Sequence, residues 1–389
     1  MNDLKNIVTP LLVNAHIHTP YSFSSFTGLE QAFEMAVKEE IKVLGINDFY
    51  VTDGYDEFAA LARKNHIFPL FNIEAIALSK DLQDQGIRVN DPGNPGRTYI
   101  CGKGLNYPST LQGKCREMLE SVKAESQRQM VEMIEKLNVW LNETGVNLSF
   151  TYDEVRRRFA RQLVRERHIA QALRTAVFEY YPNVLHKHVL KKIYGGIPVG
   201  VDIHHTAALE NELRNNLLKA GKKAFVPEDE KAFLSIEQVC EIVIHAGGIP
   251  CYPVLLDDAA GKTTEFEADR EKLYQNLVDL NIYCIELIPQ RNRLEIMEPF
   301  VRFFHEKGFV ITFGTEHNAP GLIPLTPCCS GNTPLTDFLR QVNYEGACVI
   351  AAHQYLQAQG NNNENGKDIL TRRNDLIEFG DIVIKKEIF

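Results

Sequence analysis

The feature that most constrains this chain is an alternation of strand-like and helix-like stretches. LLVNAHIH (11–18), KVLGIND (42–48), IFPLFNIEAIAL (67–78) and RTYICGKG (97–104) are short and apolar, as are IPCYPVLL (249–256), IYCIELI (282–288) and FVITFGT (309–315). Between the first of these runs, Leu29, Phe33, Val37 and Ile41 recur every four residues as on one helix face, and YDEFAALARK (55–64) predicts a second helix. Strands separated by helices of this length form βαβ units and a parallel sheet. The expected fold class is therefore α/β, and a chain of 389 residues has room for an α/β barrel of about 250.

The alternation is interrupted. Residues 84–96 (DQGIRVNDPGNPG) are dense in turn formers and predict a loop. From about 109 to 195 long helices are expected, with Leu119, Val122, Met130, Met133, Ile134, Leu137 and Leu141 on one apolar face. Ile236, Val239, Cys240, Val243 and Ile244 mark a further helix ended by Gly247-Gly248, another is expected near 335–358, and QGNNNENGKD (359–368) predicts a loop. The organisation expected is a first barrel part over 1–104, a helical insertion over 105–200, a second barrel part over 201–330 and a helical extension over 331–389.

Composition excludes some classes. The net charge of −9 argues against a nonspecific grip on nucleic acid or anionic membrane. No run approaches the ~18 apolar residues that cross a bilayer. The N-terminal MNDLKNIVTP has no basic-then-apolar signal pattern, and the eight cysteines are scattered without a C-x-x-C. The expectation is a cytoplasmic protein in a reducing compartment.

In a barrel of parallel strands, functional side chains gather at the strands' C-terminal ends. Those ends carry His16 and His18, Asp48, Glu74, Glu286, and Glu316-His317. His16 and His18, two apart on a strand, point the same way and can share a divalent metal such as Zn, Mn or Fe. No P-loop surrounds GKG (102–104), and no G-x-S-x-G elbow is present.

These residues resemble a known family. HIHTPYS (16–22) is similar to the opening H-x-H-T-x-x-S of the polymerase and histidinol phosphatase (PHP) family. INDFYVTDGYDEF (46–58), NIEA (72–75), IHAGGIPCYP (244–253) and FGTEHN (313–318) resemble its later motifs. YDEVRRRF and RERHIAQAL, within 152–173, resemble a stretch of its nucleotide-phosphatase branch. The resemblance implies a distorted seven-stranded (βα) barrel of PHP type, up to three divalent metals and hydrolysis of phosphate esters. Carried over residue by residue, it implies a first metal on His16, His18, Glu74 and Glu316. The second metal's histidines are replaced here by Cys101 and Tyr252. The third metal's ligands are replaced by Phe23, Phe49 and Asn318. One intact metal site is therefore expected, with Cys101 able to serve a second only as a thiolate.

Phosphoester hydrolysis also asks for cationic groups. Arg156, Arg157, Arg158, Arg161, Arg165 and Arg167 form the densest arginine cluster, and in one continuous helix Arg157, Arg161, Arg165 and His168 would share a face. The site expected comprises Glu74, Asp48 and His317 as catalytic groups, Arg165, Arg167 and His168 as substrate-binding groups, and the four metal ligands named above. His204-His205 and Asp257-Asp258, each after a strand-like run, are further candidates for the mouth. The function expected is a metal-dependent phosphoesterase acting on a small phosphate ester, nucleotide- or sugar-phosphate-like. The alternatives are a catalytically degenerate ligand-binding or partner module, and a different metal-barrel chemistry such as amide hydrolysis or sugar isomerisation.

Overall fold

The computed structural model describes residues 9–257, 261–360 and 366–389. All seven apolar runs are strands: β1 (Val13–Ile17), β2 (Val43–Phe49), β3 (Phe68–Leu78), β4 (Arg97–Lys103), β5 (Ile249–Val254), β6 (Cys284–Leu287) and β7 (Val310–Phe313). They lie side by side in chain order in one sheet. The sheet is a nearly closed barrel. Beyond β7, Glu316 pairs with Ile17, and the His18 N–H donates to the Glu316 carbonyl at 2.7 Å.

The sheet is not wholly parallel, as the alternation predicted. β4 runs antiparallel to both β3 and β5. The reason is its connection: residues 79–96 hold only one short helix (Lys80–Asp84) and then loop. A parallel return needs a crossover that spans the strand length, usually a full helix. The reversal puts Arg97 at the mouth and sends Cys101 and Lys103 progressively deeper.

Helices Leu29–Lys38 and Tyr55–Lys64 cover the outside of β1 to β3, as predicted. The four-residue spacing does not hold throughout the first. Leu29 and Phe33 are buried but Val37 is 52% exposed, because four residues overshoot one 3.6-residue turn and the stripe drifts off the core; Ala32 and Ala36 complete the buried face instead. In the helix Ile236–His245, Ile244 likewise faces solvent.

The closed end of the barrel rests on the helix Asp337–Ala358. Its Tyr344, Ala347, Cys348 and Ile350 pack with Val13, Val43, Leu70, Cys251 and Val310. Gly346 permits this approach, since a Cβ there would lie 2.0 Å from the Ile311 carbonyl oxygen. Of the predicted loop 359–368, residues 361–365 lie outside the described ones, and 366–368 open a short helix, Gly366–Thr371, instead.

The helical segment has a core of its own. Helices Gly113–Glu143, Tyr152–Phe159, Glu166–Tyr180, His186–Ile193 and Thr206–Leu217 surround Met133, Leu137, Leu173, Leu190, Leu209 and Leu213. It continues past residue 200, where the sequence suggested a return to the barrel. GIPVGVDI (196–203) forms no strand: Ile197 is exposed, and a run broken by Pro and Gly has no sheet edge to join. His204 and His205, which follow it, are exposed, and the His205 Nδ1 caps the next helix.

Candidate metal centre

β1 is irregular where it matters. Its register against β2 shifts between Asn14 and Ile17, a bulge that holds His16. Bulges of this kind re-aim a side chain. The end of β7 comes close enough to pair only because residue 314 is glycine; a Cβ there would stand 2.2 Å from that of His16. Past it, Glu316 and His317 both adopt left-handed backbone, φ 59° and 55°, a strained pair of the kind that functional sites concentrate.

Three side chains converge. His16 Nε2 lies 3.2 Å from His18 Nε2, His18 Nε2 lies 3.2 Å from Glu74 Oε2, and His16 Nε2 lies 3.9 Å from the same oxygen. All three residues are buried. The hydrogen bonds around them fix the protons. Glu286 Oε1 accepts the His16 Nδ1–H at 2.7 Å, so His16 presents an Nε2 lone pair. Ser22 donates its hydroxyl to Asp48 at 2.6 Å, leaving its oxygen to accept from His18 Nδ1 at 3.4 Å; His18 too presents an Nε2 lone pair. Burial holds the His18 pKa below its usual value.

Two imidazole nitrogens and a carboxyl oxygen thus face one another, and the Asn47 amide donates to His16 Nε2 at 3.1 Å. With Glu74 ionised such a set repels itself, and a cation within it would relieve the repulsion. Ligands at ~2.0–2.2 Å from a tetrahedral zinc would be separated by roughly 3.3–3.5 Å, close to what is seen. The donor set fits a divalent metal. The carboxylate behind His16 is the orienting partner that metal-bound histidines use.

Glu316, the fourth expected ligand, does not join the group. It lines the same cavity, but its carboxylate is turned to the Arg291 guanidinium and the Asn318 amide. Burial would raise its pKa, yet Arg291 and the two imidazoles outweigh burial and lower it. Burial, helped by Glu316 and Glu286, pushes Glu74 up.

Two of the expected catalytic groups stand elsewhere. Along β2 alternate residues face inward, so Asn47 meets His16 and Phe49 stacks on His18 at 5.0 Å while Asp48 points away. Its carboxylate accepts from the Thr19 N–H at 2.7 Å, from the Thr19 hydroxyl and from Ser22, tying down the turn after β1. Asp48→Ala should therefore cost about 2–4 kcal/mol of stability in urea unfolding, with metal affinity falling about 10–100-fold because Ser22, which Asp48 holds, orients His18. A loss of turnover at unchanged stability would return Asp48 to catalysis. His317 has both nitrogens occupied, Nδ1 by the Thr315 hydroxyl at 2.8 Å and Nε2 by the Ile323 carbonyl at 2.9 Å, and stacks on Phe26. It shapes the strained turn rather than serving as an acid or base.

Above the triad opens a cavity of about 980 Å³, walled by the barrel mouth on one side and the helical segment on the other. Arg165 and Arg167 both line it, Arg165 at 4.8 Å over the Phe49 ring and Arg167 at 5.5 Å over Phe23. Their hydrogen bonds go to neutral oxygens, Ser126 and Asn211 at 3.2 and 2.9 Å, and among the described residues neither pairs with a carboxylate. Burial and the nearby Arg214 lower the Arg167 pKa to about 10.

The remaining arginines do not share a face with them, because the helix is broken between Phe159 and Glu166. Arg158 pairs with Glu179 and Arg161 with Glu57. His168 is not in the cavity. Its Nδ1 accepts the Arg165 N–H at 3.0 Å, closing the first turn of the helix Glu166–Tyr180. Burial, with Arg165 alongside, lowers its pKa to about 3. A ring that stays neutral in the fold favours the folded state above the unfolded value of ~6.5 and loses that advantage as pH falls toward 3. His168→Gln keeps an acceptor and should flatten the fall in unfolding free energy between pH 6.5 and 4.5, a slope of up to ~1.4 kcal/mol per pH unit. An unchanged slope would show that the imidazole is already charged.

Sequence reasoning placed Glu286 at a strand end without a role and passed over Asn47 and Lys103. Lys103 Nζ contacts Glu286 Oε2 at 2.6 Å and Asn47 Oδ1 at 3.2 Å, with no exposed surface. A lysine two residues beyond Cys101, on the inward side of an apolar strand, was the available signal. Asp257 lines the mouth and holds Asn292 and Arg293; Asp258 lies outside the described residues.

No family profile and no curated protein matches the chain. Solved structures do. A protein from Bifidobacterium adolescentis, named as a candidate metal-dependent phosphoesterase, aligns with a TM-score of 0.54 and 17% identity over 85% of this chain and 94% of that one. An amidohydrolase from Chromobacterium violaceum, solved with sulfate and no metal, aligns at 0.48 and 15% over 82% and 93%. The first likeness shows a shared fold along nearly the whole of that protein.

Proposed function

We propose that the chain is a metal-dependent hydrolase of small phosphate esters that works with a reduced metal set, one divalent cation on His16, His18 and Glu74. The observation that carries the reading is the convergence of two imidazole nitrogens and a carboxylate beneath two arginines that lack carboxylate partners among the described residues. The cation is Mn, Zn or Fe by ligand type. When bound, it supplies Lewis acidity and a water acidic enough to attack at neutral pH.

The chain's own residues do the rest. Glu286 and the Ser22–Asp48 pair hold the two rings with Nε2 inward. Arg165 and Arg167 present guanidinium forks that match phosphate oxygens and answer the charge spread over them. Phe23, Phe49 and His18 are stacked nearly parallel, 8–18° apart, as one aromatic wall that excludes water beside the reacting group. The substrate is small and phosphorylated, of nucleotide or sugar-phosphate size. The fold seen in the candidate phosphoesterase supports this reading. No helix among the described residues is long and apolar enough to cross a membrane.

A second reading rests on the same aromatic wall. Phe23 and Phe49 stand where the resemblance implied further ligands, as a binding module that has lost turnover would have them. The experiment is purification without chelator, removal of metal with EDTA, restoration with Mn²⁺, and hydrolysis of p-nitrophenyl phosphate. The hydrolase reading expects turnover that vanishes with EDTA and returns with Mn²⁺. Phosphate binding without turnover would select the module instead.

A further inference from the structure

We propose that Lys103 is a tethered cation that closes a second metal position, so that the protein holds one divalent ion and carries the neighbouring positive charge covalently. The inference rests on the reading of His16, His18 and Glu74 as a metal centre. It concerns a different group of atoms.

A second metal-capable set exists in the barrel. His16, Cys101 and Glu286 are all buried, with ligand atoms within 4.8 Å of one another. Cys101 Sγ lies 3.7 Å from Glu286 Oε1 and 3.5 Å from Asn47 Nδ2. By donor type alone this set could take a soft divalent ion.

Lys103 stands against it. Its side chain is wholly buried, a place lysine almost never takes unless paired. The ammonium contacts Glu286 Oε2 at 2.6 Å, and Oε1 of the same carboxylate is used by His16 Nδ1. Both oxygens of Glu286 are therefore committed. An incoming ion on Oε1 would have to displace the His16 Nδ1–H and stand across one carboxylate from the ammonium. Lys103 is a strand residue paired to Ile249, and an unpaired ammonium left in the interior is strongly unfavourable. Two like charges a few ångströms apart inside a barrel also repel strongly.

The first position is spared. It uses Nε2 of His16, across the ring from Glu286. The buried ion pair thus divides the imidazole, Nδ1 to the fixed cation's side and Nε2 to the exchangeable one.

The test is a count of bound Mn²⁺ by equilibrium dialysis at saturating metal, with folding followed by circular dichroism. Wild type is expected to bind one equivalent. Lys103→Ala opens space beside an uncompensated carboxylate and is expected to bind two. Lys103→Ala/Glu286→Gln is expected to return to one. A wild type that binds two overturns the proposal, as does a folded Lys103→Ala that still binds one. Should Lys103→Ala fail to fold, the wild-type count decides, with Cys101→Ala beside it: a second equivalent that disappears in Cys101→Ala overturns it, and one equivalent in both upholds it. A wild type that binds none removes the metal centre itself and this inference with it.

Discussion

His18→Ala should release the divalent metal and reduce kcat/KM for p-nitrophenyl phosphate by about 10³-fold or more, roughly 4 kcal/mol of transition-state stabilisation. The expectation comes from the geometry of the triad. His18 Nε2 is the atom close to both of the others, 3.2 Å from His16 Nε2 and 3.2 Å from Glu74 Oε2. Without it two donors remain, 3.9 Å apart, and two donors do not hold a catalytic cation. Glu316 cannot substitute at once, because Arg291 and Asn318 hold its carboxylate. The measurement is metal content by plasma mass spectrometry beside steady-state kinetics. An apo protein with full activity would dismiss metal chemistry, and a fully loaded one would dismiss this ligand set.

Neutralising the two arginines that lack a carboxylate partner among the described residues should have the next largest effect. Arg165→Ala/Arg167→Ala is expected to lower kcat/KM by about 10²–10³-fold, as removal of groups that meet transition-state charge does elsewhere, with metal content unchanged. The control lies in the same sequence cluster: Arg161→Ala, whose partner is Glu57, should change kcat/KM less than about threefold. Equal losses in the two variants would mean that the cluster acts through the fold of the helical segment and not through the substrate. Phe23 and Phe49 lie under the two guanidinium groups. Their replacement by leucine would separate cation–aromatic positioning from charge.

Much of this site was legible in one dimension because strands expose their logic. Inward residues alternate, so His16 and His18 could be paired before any fold was known, and Glu74 could be placed beside them by its position on the third strand. The failures have equally local causes. Asp48 is acidic and at a strand end, but it occupies the odd place between Asn47 and Phe49, and its three donors come from a turn whose shape no composition reveals. His168 sits in an arginine-rich stretch, yet Phe159 and Glu166 bound a break, and across it the imidazole becomes a helix cap. The reversal of β4 was foreseeable from the lack of a full helix between β3 and β4, but its result was not: it carries Lys103 into the barrel. Glu316 failed for want of a partner in view. Arg291 lies on a short turn after β6, and only the closed barrel brings the two together.

The most direct test of the central claim is an anomalous-difference map from crystals grown with Mn²⁺. The account predicts a single strong peak bounded by Nε2 of His16, Nε2 of His18 and a carboxylate oxygen of Glu74, with none between Cys101 and Glu286. Empty density among those three atoms in a protein that still hydrolyses phosphate esters, or a peak bound elsewhere in the barrel, would contradict it.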